Sequence, residues 1–178
     1  MPVAALTISA QPFDPADWGP YGWVPVPDTD PRDGSSRLDF EWDDVHLNLI
    51  SHDAVEVPRT ERGLVCEMLF RHQTHTQALL VLNCPAVAVV APPGTAFTSK
   101  QDAGLLRAFL LRPQDVFVLH RGTWHWGPFP VGAPRVEMLN VQGRRYAEDN
   151  ECCRLADIGA SVEVITGRAR PACVNCPG

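Results

Sequence analysis

The chain has 178 residues, of which 45% are hydrophobic and 20% charged. This composition is typical of one globular domain that can bury a core without stabilising disulfide bonds or metal ions. Its 15 basic and 21 acidic residues give a net charge of −6, which argues against nucleic acid or an anionic membrane as a partner but allows a small anionic substrate. No apolar run reaches the ~18 residues of a membrane helix, and the first ten residues do not resemble a signal peptide. We therefore expect a cytoplasmic protein with one domain over residues 1–178 and a loose tail from about residue 168.

The predicted elements begin with a strand over Leu6–Ser9 and one helical turn over Phe13–Trp18, in which Asp14 is the cap and Pro15 the first helical residue. Residues 25–37 are rich in proline and serine and predict a surface loop. Short apolar runs bounded by turn residues then predict seven strands, at Val45–Ile50, Leu64–Phe70, Gln77–Leu82, Ala86–Val90, Val116–Leu119, Val136–Val141 and Val162–Thr166.

One helix is predicted to interrupt these strands. Ser99 would cap it, Asp102 stands three residues on, and Arg112-Pro113 would end it. The apolar face of this helix would consist of Leu105, Leu106, Phe109 and Leu110. Many short strands with a single helix predict an antiparallel β-sandwich or β-barrel.

A first polar cluster follows the predicted strand Val116–Leu119, where His120, Arg121 and His125 occur within six residues beside two tryptophans. The arginine could bind a carboxylate through two parallel hydrogen bonds, and either histidine could transfer protons near neutral pH. The alternative is a surface loop that happens to contain two histidines.

A second polar cluster, Arg71–Gln77, joins two predicted strands and contains imidazole, guanidinium and amide groups. Two such clusters can meet at the mouth of a barrel, so we expect Arg71, His72, Gln77 and His125 to lie together. His75 and Gln77 fall on one face of an extended segment and, with His125, would form a partial set of metal ligands. Alternatively, the histidines of this segment are partly exposed turn residues.

The six cysteines leave two interpretations open. Cys66 and Cys84 lie in or beside apolar runs and are expected to be small buried side chains. The other four could hold a structural zinc ion or could be reduced, incidental thiols; they are Cys152, Cys153, Cys173 and Cys176.

The order of landmarks between about residues 13 and 142 resembles the ureidoglycolate lyase family. The most specific match is His120-Arg-Gly-Thr-Trp-His125, which is similar to His-Arg-Gly-Val-Trp-His in the family. The other matching segments are Phe13 through Pro20-Tyr21-Gly22, Arg71-His72 with Gln77-Ala78, Val89–Pro92 and Leu106–Phe109.

The sequence also departs from the family pattern. Phe70 replaces a glutamate, His75 a glycine and Trp126 a histidine, and Gln142-Gly143 stands where the family has Asp-Arg. The pocket therefore loses titratable groups at positions 70 and 126, and a more apolar wall would suit a larger or less polar substrate.

The resemblance implies a mainly β fold, namely a cupin-like antiparallel β-barrel of the double-stranded β-helix type with one or two short helices. It also implies a cytoplasmic, homodimeric carbon–nitrogen lyase of allantoin degradation in purine catabolism. Such an enzyme releases urea and glyoxylate from ureidoglycolate or a related carbinolamine acid. The alternative is a non-catalytic cupin-like protein that binds a small carboxylate ligand.

The site residues follow from the same resemblance and from the two polar clusters. Proton transfer is expected from His125, His72 and His120. Substrate binding is expected from Arg71, Gln77, Arg121, Trp124 and Trp126. A divalent ion, nickel or zinc, would be held by His75, Gln77 and His125, and only weakly, because this set contains no carboxylate.

Overall fold

A computed structural model describes residues 6–27, 36–42 and 44–167 of the chain. It contains one short helix, α1 (Pro15–Trp18), and three 3-10 turns at Ala54–Glu56, Lys100–Leu105 and Leu155–Ile158. The thirteen strands are β1 (Leu6–Pro12), β2 (Gly22–Trp23), β3 (Val45–Asp53), β4 (Gly63–Cys66), β5 (Met68–His72), β6 (Gln77–Val81), β7 (Ala86–Ala91), β8 (Arg107–Leu111), β9 (Val116–Leu119), β10 (Trp124–Pro130), β11 (Arg135–Gly143), β12 (Asn150–Arg154) and β13 (Val162–Ile165).

The strands form two sheets. One has eight strands in the order β12-β5-β10-β7-β8-β1-β13-β4, and the other has five in the order β2-β9-β6-β11-β3. The sheets curl into a half-barrel, which confirms the mainly β fold class. The pairing is not antiparallel throughout, because β1 runs parallel to both β8 and β13.

The predicted helix after Ser99 is wrong beyond its first turns. The Ser99 and Asp102 cap is present, but it begins a 3-10 turn that ends at Leu105. The next residues form β8, which pairs with β7 on one side and with β1 on the other. Burial of Phe109 and Leu111 between these neighbours overrides the helical spacing of the apolar residues.

Two further differences concern the strands around the polar clusters. The apolar run Leu64–Phe70 divides into β4 and β5, which lie at different places in the eight-stranded sheet. The first polar cluster is only partly in a turn, because β10 starts at Trp124 and therefore includes His125. The sequence did not predict β10 or β12, and both of these strands pair with β5.

An aromatic cluster around Trp18 fixes the start of the chain against the five-stranded sheet. The Trp18 ring is fully buried, packs against Phe109 and Phe117 at 5.2 and 4.9 Å between ring centroids, and donates from Nε1 to the Val118 carbonyl at 3.0 Å. A Cβ at Gly22 would lie 1.6 Å from that carbonyl oxygen, so only glycine allows β2 to approach β9.

This anchoring continues into the loop after β9. The Tyr21 carbonyl accepts hydrogen bonds from the His120 backbone N–H at 2.9 Å and from the Thr123 hydroxyl at 2.8 Å. The Gly122 N–H in turn donates to the His72 carbonyl at 2.7 Å, so this loop lies directly beside the end of β5.

No helix in the described ranges is long and apolar enough to cross a membrane.

Trp18→Ala should lower the free energy of unfolding by about 3–5 kcal/mol, because it leaves a cavity at the centre of the aromatic cluster. Urea denaturation measures this loss. Val55→Ala is the control, since Val55 is 91% exposed and its truncation should change stability little. Equal small losses in both variants would show that the cluster does not carry the stability assigned to it.

Candidate functional site

A cavity of about 610 Å³ lies between the two sheets, large enough for a small organic acid. His72 on β5, Gln77 at the start of β6 and His125 on β10 all contribute to its wall. The other lining residues come mainly from β3, the turn after it, β4, β5, β10 and β11. They are Asn48, Ile50, Ser51, His52, Glu56, Val57, Pro58, Val65, Glu67, Met68, Phe70, Trp126, Gly127, Phe129, Gln142, Tyr146 and Asn150.

The pairing of β5 with β10 brings the two histidines together. Phe70 is the register partner of His125, and the ring centroids of His72 and His125 lie 5.3 Å apart. The two polar clusters therefore meet on one face of the barrel wall, as the sequence led us to expect for these two residues and for Gln77.

Arg71 does not join them. Neighbouring side chains on a strand point to opposite faces, so Arg71 faces away from His72. Its guanidinium forms a two-pronged ion pair with Glu151, at 2.7 and 2.8 Å, and lies 4.3 Å from the centre of the Trp124 ring. Trp124 itself donates from Nε1 to the Thr95 carbonyl, and neither residue lines the cavity.

The loop residues His120 and Arg121 do not line this cavity, although His120 borders the narrow space enclosed by His72, His75 and His125. His120 is exposed, and its backbone rather than its ring makes the contact with Tyr21. Arg121 donates from Nη2 to the Thr74 carbonyl at 2.7 Å and lies 3.1 Å from a carboxylate oxygen of Asp39. Both arginines expected to bind a substrate carboxylate thus serve contacts within the protein.

Trp126 does line the cavity, as expected from its replacement of a family histidine. Its ring packs against Phe129 at 4.6 Å between centroids, and Phe70 contributes to the same cavity. These three residues give part of the cavity an apolar surface, as the departures from the family pattern implied.

Hydrogen bonding defines the tautomer of His125. Its Nδ1 lies 3.1 Å from the Thr123 carbonyl, which can only accept, so Nδ1 carries the proton and Nε2 is the free acceptor of the ring. Burial lowers the pKa of His125 to about 4, although the Thr123 carbonyl raises it. The imidazole is therefore neutral at pH 7 and can accept a proton at Nε2.

His72 is also neutral at pH 7. Burial, followed by the neighbouring His125 and His75 rings, lowers the pKa of His72 to about 3. Its Nδ1 is buried and has no hydrogen-bond partner in the described part of the chain. The His75 ring stacks on it at 4.6 Å between centroids, and burial lowers the pKa of His75 as well.

A group of three side chains, His72, His75 and Asp149, could hold a metal ion. One potential ligand atom from each lies within 4.8 Å of the others, and the side chains of His75 and Asp149 are almost fully buried. Burial alone would raise the pKa of Asp149, but hydrogen bonds from Thr74 and Gln73 outweigh it and the pKa is lowered, so the carboxylate is ionised. His125 and Gln77, the other ligands expected from sequence, lie beside this group without belonging to it.

Gln77 belongs to a chain of buried amides instead. Its Nε2 donates to Asn140 Oδ1 at 2.9 Å and to Gln142 Oε1 at 3.2 Å, while Asn140 Nδ2 donates to Asn48 Oδ1 at 2.7 Å. If the Gln77 amide were reversed, its two N–H donors would lack partners, whereas in the observed orientation only its oxygen does. The observed orientation is therefore favoured. Its Oε1 is then a buried acceptor with no partner in the described ranges.

Sequence reasoning missed Asp149, Asn140 and Asn48. Asp149 lies in an acidic segment with no motif, and it reaches His75 only because β12 pairs with β5. Asn140 and Asn48 are register partners on β11 and β3, and a polar residue at every second position of a strand ordinarily faces solvent. No local signal in the sequence distinguishes these residues.

The cysteines are only partly described. Cys66 and Cys84 are buried, as predicted, and burial raises the pKa of the Cys84 thiol. Cys152 is exposed and Cys153 partly exposed, and both are free thiols. The other half of the possible zinc site, Cys173 and Cys176, lies outside the described residues.

The fold and the cavity define a mainly β, half-barrel protein with histidines on the cavity wall. The chain belongs to the ureidoglycolate lyase family, since a sequence model of ureidoglycolate lyase matches residues 32–163. This confirms the resemblance found in the sequence motifs.

Curated relatives carry the same family name. A ureidoglycolate lyase from one Pseudomonas fluorescens strain is 38% identical over 84 residues, 47% of this chain and 45% of the relative. Another from the same species is 32% identical over 111 residues, 62% of this chain and 59% of the relative. The chain thus spans about half the length of the curated relatives it matches.

Among solved structures, the chain resembles an L-ribose isomerase of Cellulomonas parahominis with L-ribose. The TM-score is 0.41 and the identity 14%, over 70% of this chain and 65% of that one. A likeness this distant supports no inference about function.

The lowered histidine pKa values predict that the metal-free protein loses stability in acid. Below pH 6.5 the unfolded chain binds protons that buried His72 and His125 do not, so the free energy of unfolding falls as the pH drops from about 6.5 towards 4. His72 alone should account for a loss of about 2 kcal/mol in the free energy of unfolding at pH 5. Urea denaturation at pH 7.5 and pH 5 with a chelator present measures the change.

The two variants are His72→Gln and Val55→Gln. The first removes a buried titrating ring and should reduce the pH dependence, while the second changes an exposed side chain that does not titrate and should leave it as in the wild type. An unchanged pH dependence in His72→Gln would contradict this assignment.

Proposed function

We propose that this protein is a carbon–nitrogen lyase that releases urea and glyoxylate from ureidoglycolate or a related carbinolamine acid. The observation that carries the proposal is the pair of neutral imidazoles, His72 and His125, on the wall of one cavity with the free Nε2 of His125 as a proton acceptor. The family membership supports the same reaction class.

The reaction itself moves one proton and is neutral overall. The base takes the proton of the substrate hydroxyl, and the O–H electrons form the carbonyl of glyoxylate. The C–N bond then breaks, its electrons go to the urea nitrogen, and that nitrogen takes up the proton. A single imidazole that begins neutral can accept the proton and return it, and His125 is the group we assign to this role.

The amide chain supplies the second element of recognition. A ureido group carries N–H donors, and the buried Oε1 of Gln77 is an acceptor without a partner in the described residues. Asn140 and Gln142 hold the amide of Gln77 so that this oxygen is the atom left to accept. A substrate N–H at this position would satisfy it and orient the leaving nitrogen.

The substrate carboxylate also needs a positive or hydrogen-bonding partner. No arginine or lysine of the described ranges lines the cavity. Two imidazoles and a carboxylate suit the nickel or zinc ion that the family resemblance implies, and His72, His75 and Asp149 would hold it. Bound there, the ion would supply positive charge for the carboxylate.

Incubation of the purified protein with ureidoglycolate, with glyoxylate measured by coupled reduction, tests the proposal. We expect glyoxylate release well above the spontaneous rate. Release at the spontaneous rate, with the protein at high concentration and supplied with nickel or zinc, would instead favour the non-catalytic protein that binds a small carboxylate.

In this assay His125→Ala should lower kcat by about 10²–10⁴-fold, the usual contribution of one general acid–base group. Glu61→Ala is the control, because Glu61 is exposed and lies outside the cavity. A loss confined to KM in His125→Ala would make the residue a binding group, and equal losses in both variants would contradict the assignment.

The homodimer stays a prediction, and an exposed apolar strip on the five-stranded sheet supports it. Strand β3 lies at the edge of the five-stranded sheet, and its outward residues Leu47 and Leu49 are 64% and 68% exposed. They continue into Leu139 and Val141 on β11, which are their register partners. An apolar strip at a sheet edge can pair with a second copy of itself across a two-fold axis.

Light scattering measures the mass of the protein in solution. We expect a dimer for the wild type and a monomer for the double variant Leu47→Glu, Leu49→Glu, with Val55→Glu as an exposed control that keeps the dimer. A monomeric wild type would refute the prediction. The cytoplasmic location and the place in allantoin degradation likewise stay predictions.

A further inference from the structure

We infer that His72, His75 and Asp149 form a built site for one divalent transition-metal ion of the class that imidazole and carboxylate ligands prefer. The inference concerns metal binding by these residues and does not require the proposed lyase reaction to be correct. It replaces the weak ligand set expected from sequence, which had no carboxylate.

The spacing of the ligand atoms suits a small divalent ion. The Nδ1 atom of His75 lies 3.4 Å from Oδ2 of Asp149. Ligands about 2.0–2.1 Å from a tetrahedral ion are about 3.3–3.4 Å apart, so the Asp149 carboxylate and the His75 ring are close enough for both to reach one ion. The candidate ligand atom of His72 lies within 4.8 Å of the others, so only a small movement would complete a three-ligand set.

The state of the nitrogens also points to a ligand. His72 is 7% exposed and His75 is 2% exposed, and each has a buried ring nitrogen with no hydrogen-bond partner in the described ranges. An unpaired buried polar atom costs free energy, about 1–3 kcal/mol in general. Coordination by His72 Nδ1 would remove that cost at one of the two rings.

Asp149 is held in place for this role. Its Oδ2 accepts from the Thr74 N–H at 2.8 Å and from the Thr74 hydroxyl at 2.6 Å, and its Oδ1 accepts from the Gln73 N–H at 3.0 Å. Each carboxylate oxygen has two acceptor positions, so those of Oδ2 are both used and the position left for an ion is on Oδ1. Hydrogen bonds of this kind fix the direction of a ligand in metal sites.

The protein also makes space for the second histidine. A Cβ at Gly143 would lie 3.1 Å from Nδ1 of His75 and 3.3 Å from its Cγ, so a larger residue would press on the ring. The Phe40 ring also stacks on the imidazole, with the two planes 6° apart. His75 and Gly143 are both departures from the family pattern, so this ligand set is a property of the present chain.

The ion would lie beside the cavity. His72 lines the cavity wall, and its ring centroid is 5.3 Å from that of His125. An ion bound by His72 would thus lie close to the group assigned to proton transfer.

The experiment uses the full chain, purified without a histidine tag, stripped with chelator and titrated with Zn²⁺ or Ni²⁺ in a calorimeter. Elemental analysis after gel filtration gives the stoichiometry. We expect one ion per chain for the wild type. His75→Asn and Asp149→Asn should each weaken binding by about 100-fold or more, since each removes one of three protein ligands, whereas Glu61→Gln, at an exposed residue away from the site, should bind like the wild type.

A second measurement separates loss of a ligand from loss of fold. Circular dichroism should show that the metal-free variants are folded, and added Zn²⁺ should raise the melting temperature of the wild type and of Glu61→Gln but not of His75→Asn. Either wild-type binding below one ion per chain or equal binding in all folded variants would overturn the inference. Asp149 would then serve only to accept hydrogen bonds from the turn at residues 73–74.

The outcomes also separate this site from the proposed reaction. Stoichiometric metal without release of glyoxylate would refute the lyase and keep the site. Full turnover by the chelator-stripped protein that fails to bind metal would refute the site and keep the lyase.

Discussion

The site depends on one contact between two connections of the barrel, the hydrogen bond from the Gly122 N–H to the His72 carbonyl. It fixes the loop after β9 to the end of β5, and the next residues of that loop enter β10 beside β5. His72 and His125 come from these two strands, so their separation is set by backbone pairing and not by the side chains themselves. The aromatic cluster around the fully buried Trp18 also stabilises this contact, because the Tyr21 carbonyl accepts two hydrogen bonds from the same loop.

The electrostatic character of the cavity depends on which charged side chains the fold directs away from it. Strand alternation turns Arg71 outwards to Glu151 and Trp124, and Arg121 is engaged by Thr74 and Asp39. The polar groups of the cavity wall include the neutral imidazoles of His72 and His125, several amides and the carboxylates of Glu56 and Glu67. A cavity of this kind does not attract an anion by itself, which is why the cation site formed by His72, His75 and Asp149 would change what the cavity can bind.

Burial has opposite consequences for the two kinds of titratable group in this region. It lowers the pKa of His72 and His125, so both rings are available as acceptors or as metal ligands at neutral pH. It would raise the pKa of Asp149, but the hydrogen bonds from the turn at 73–74 prevent this. Neutral imidazoles and an ionised carboxylate are the forms that bind a divalent ion, and both coexist here without an added charge partner.

The sequence by itself determined the mainly β class, most strand positions, the two histidine clusters and the family, because each depends on local periodicity or on a contiguous motif. It did not determine that Phe109 lies in a strand, since helical spacing and strand burial are both compatible with that run until β7 and β1 flank it. Only the tertiary structure decided that Arg71 leaves the site and that Asp149 enters it. The first follows from alternation along β5 and the second from pairing of β12 with β5, and long-range pairing of this kind leaves no mark in the local sequence.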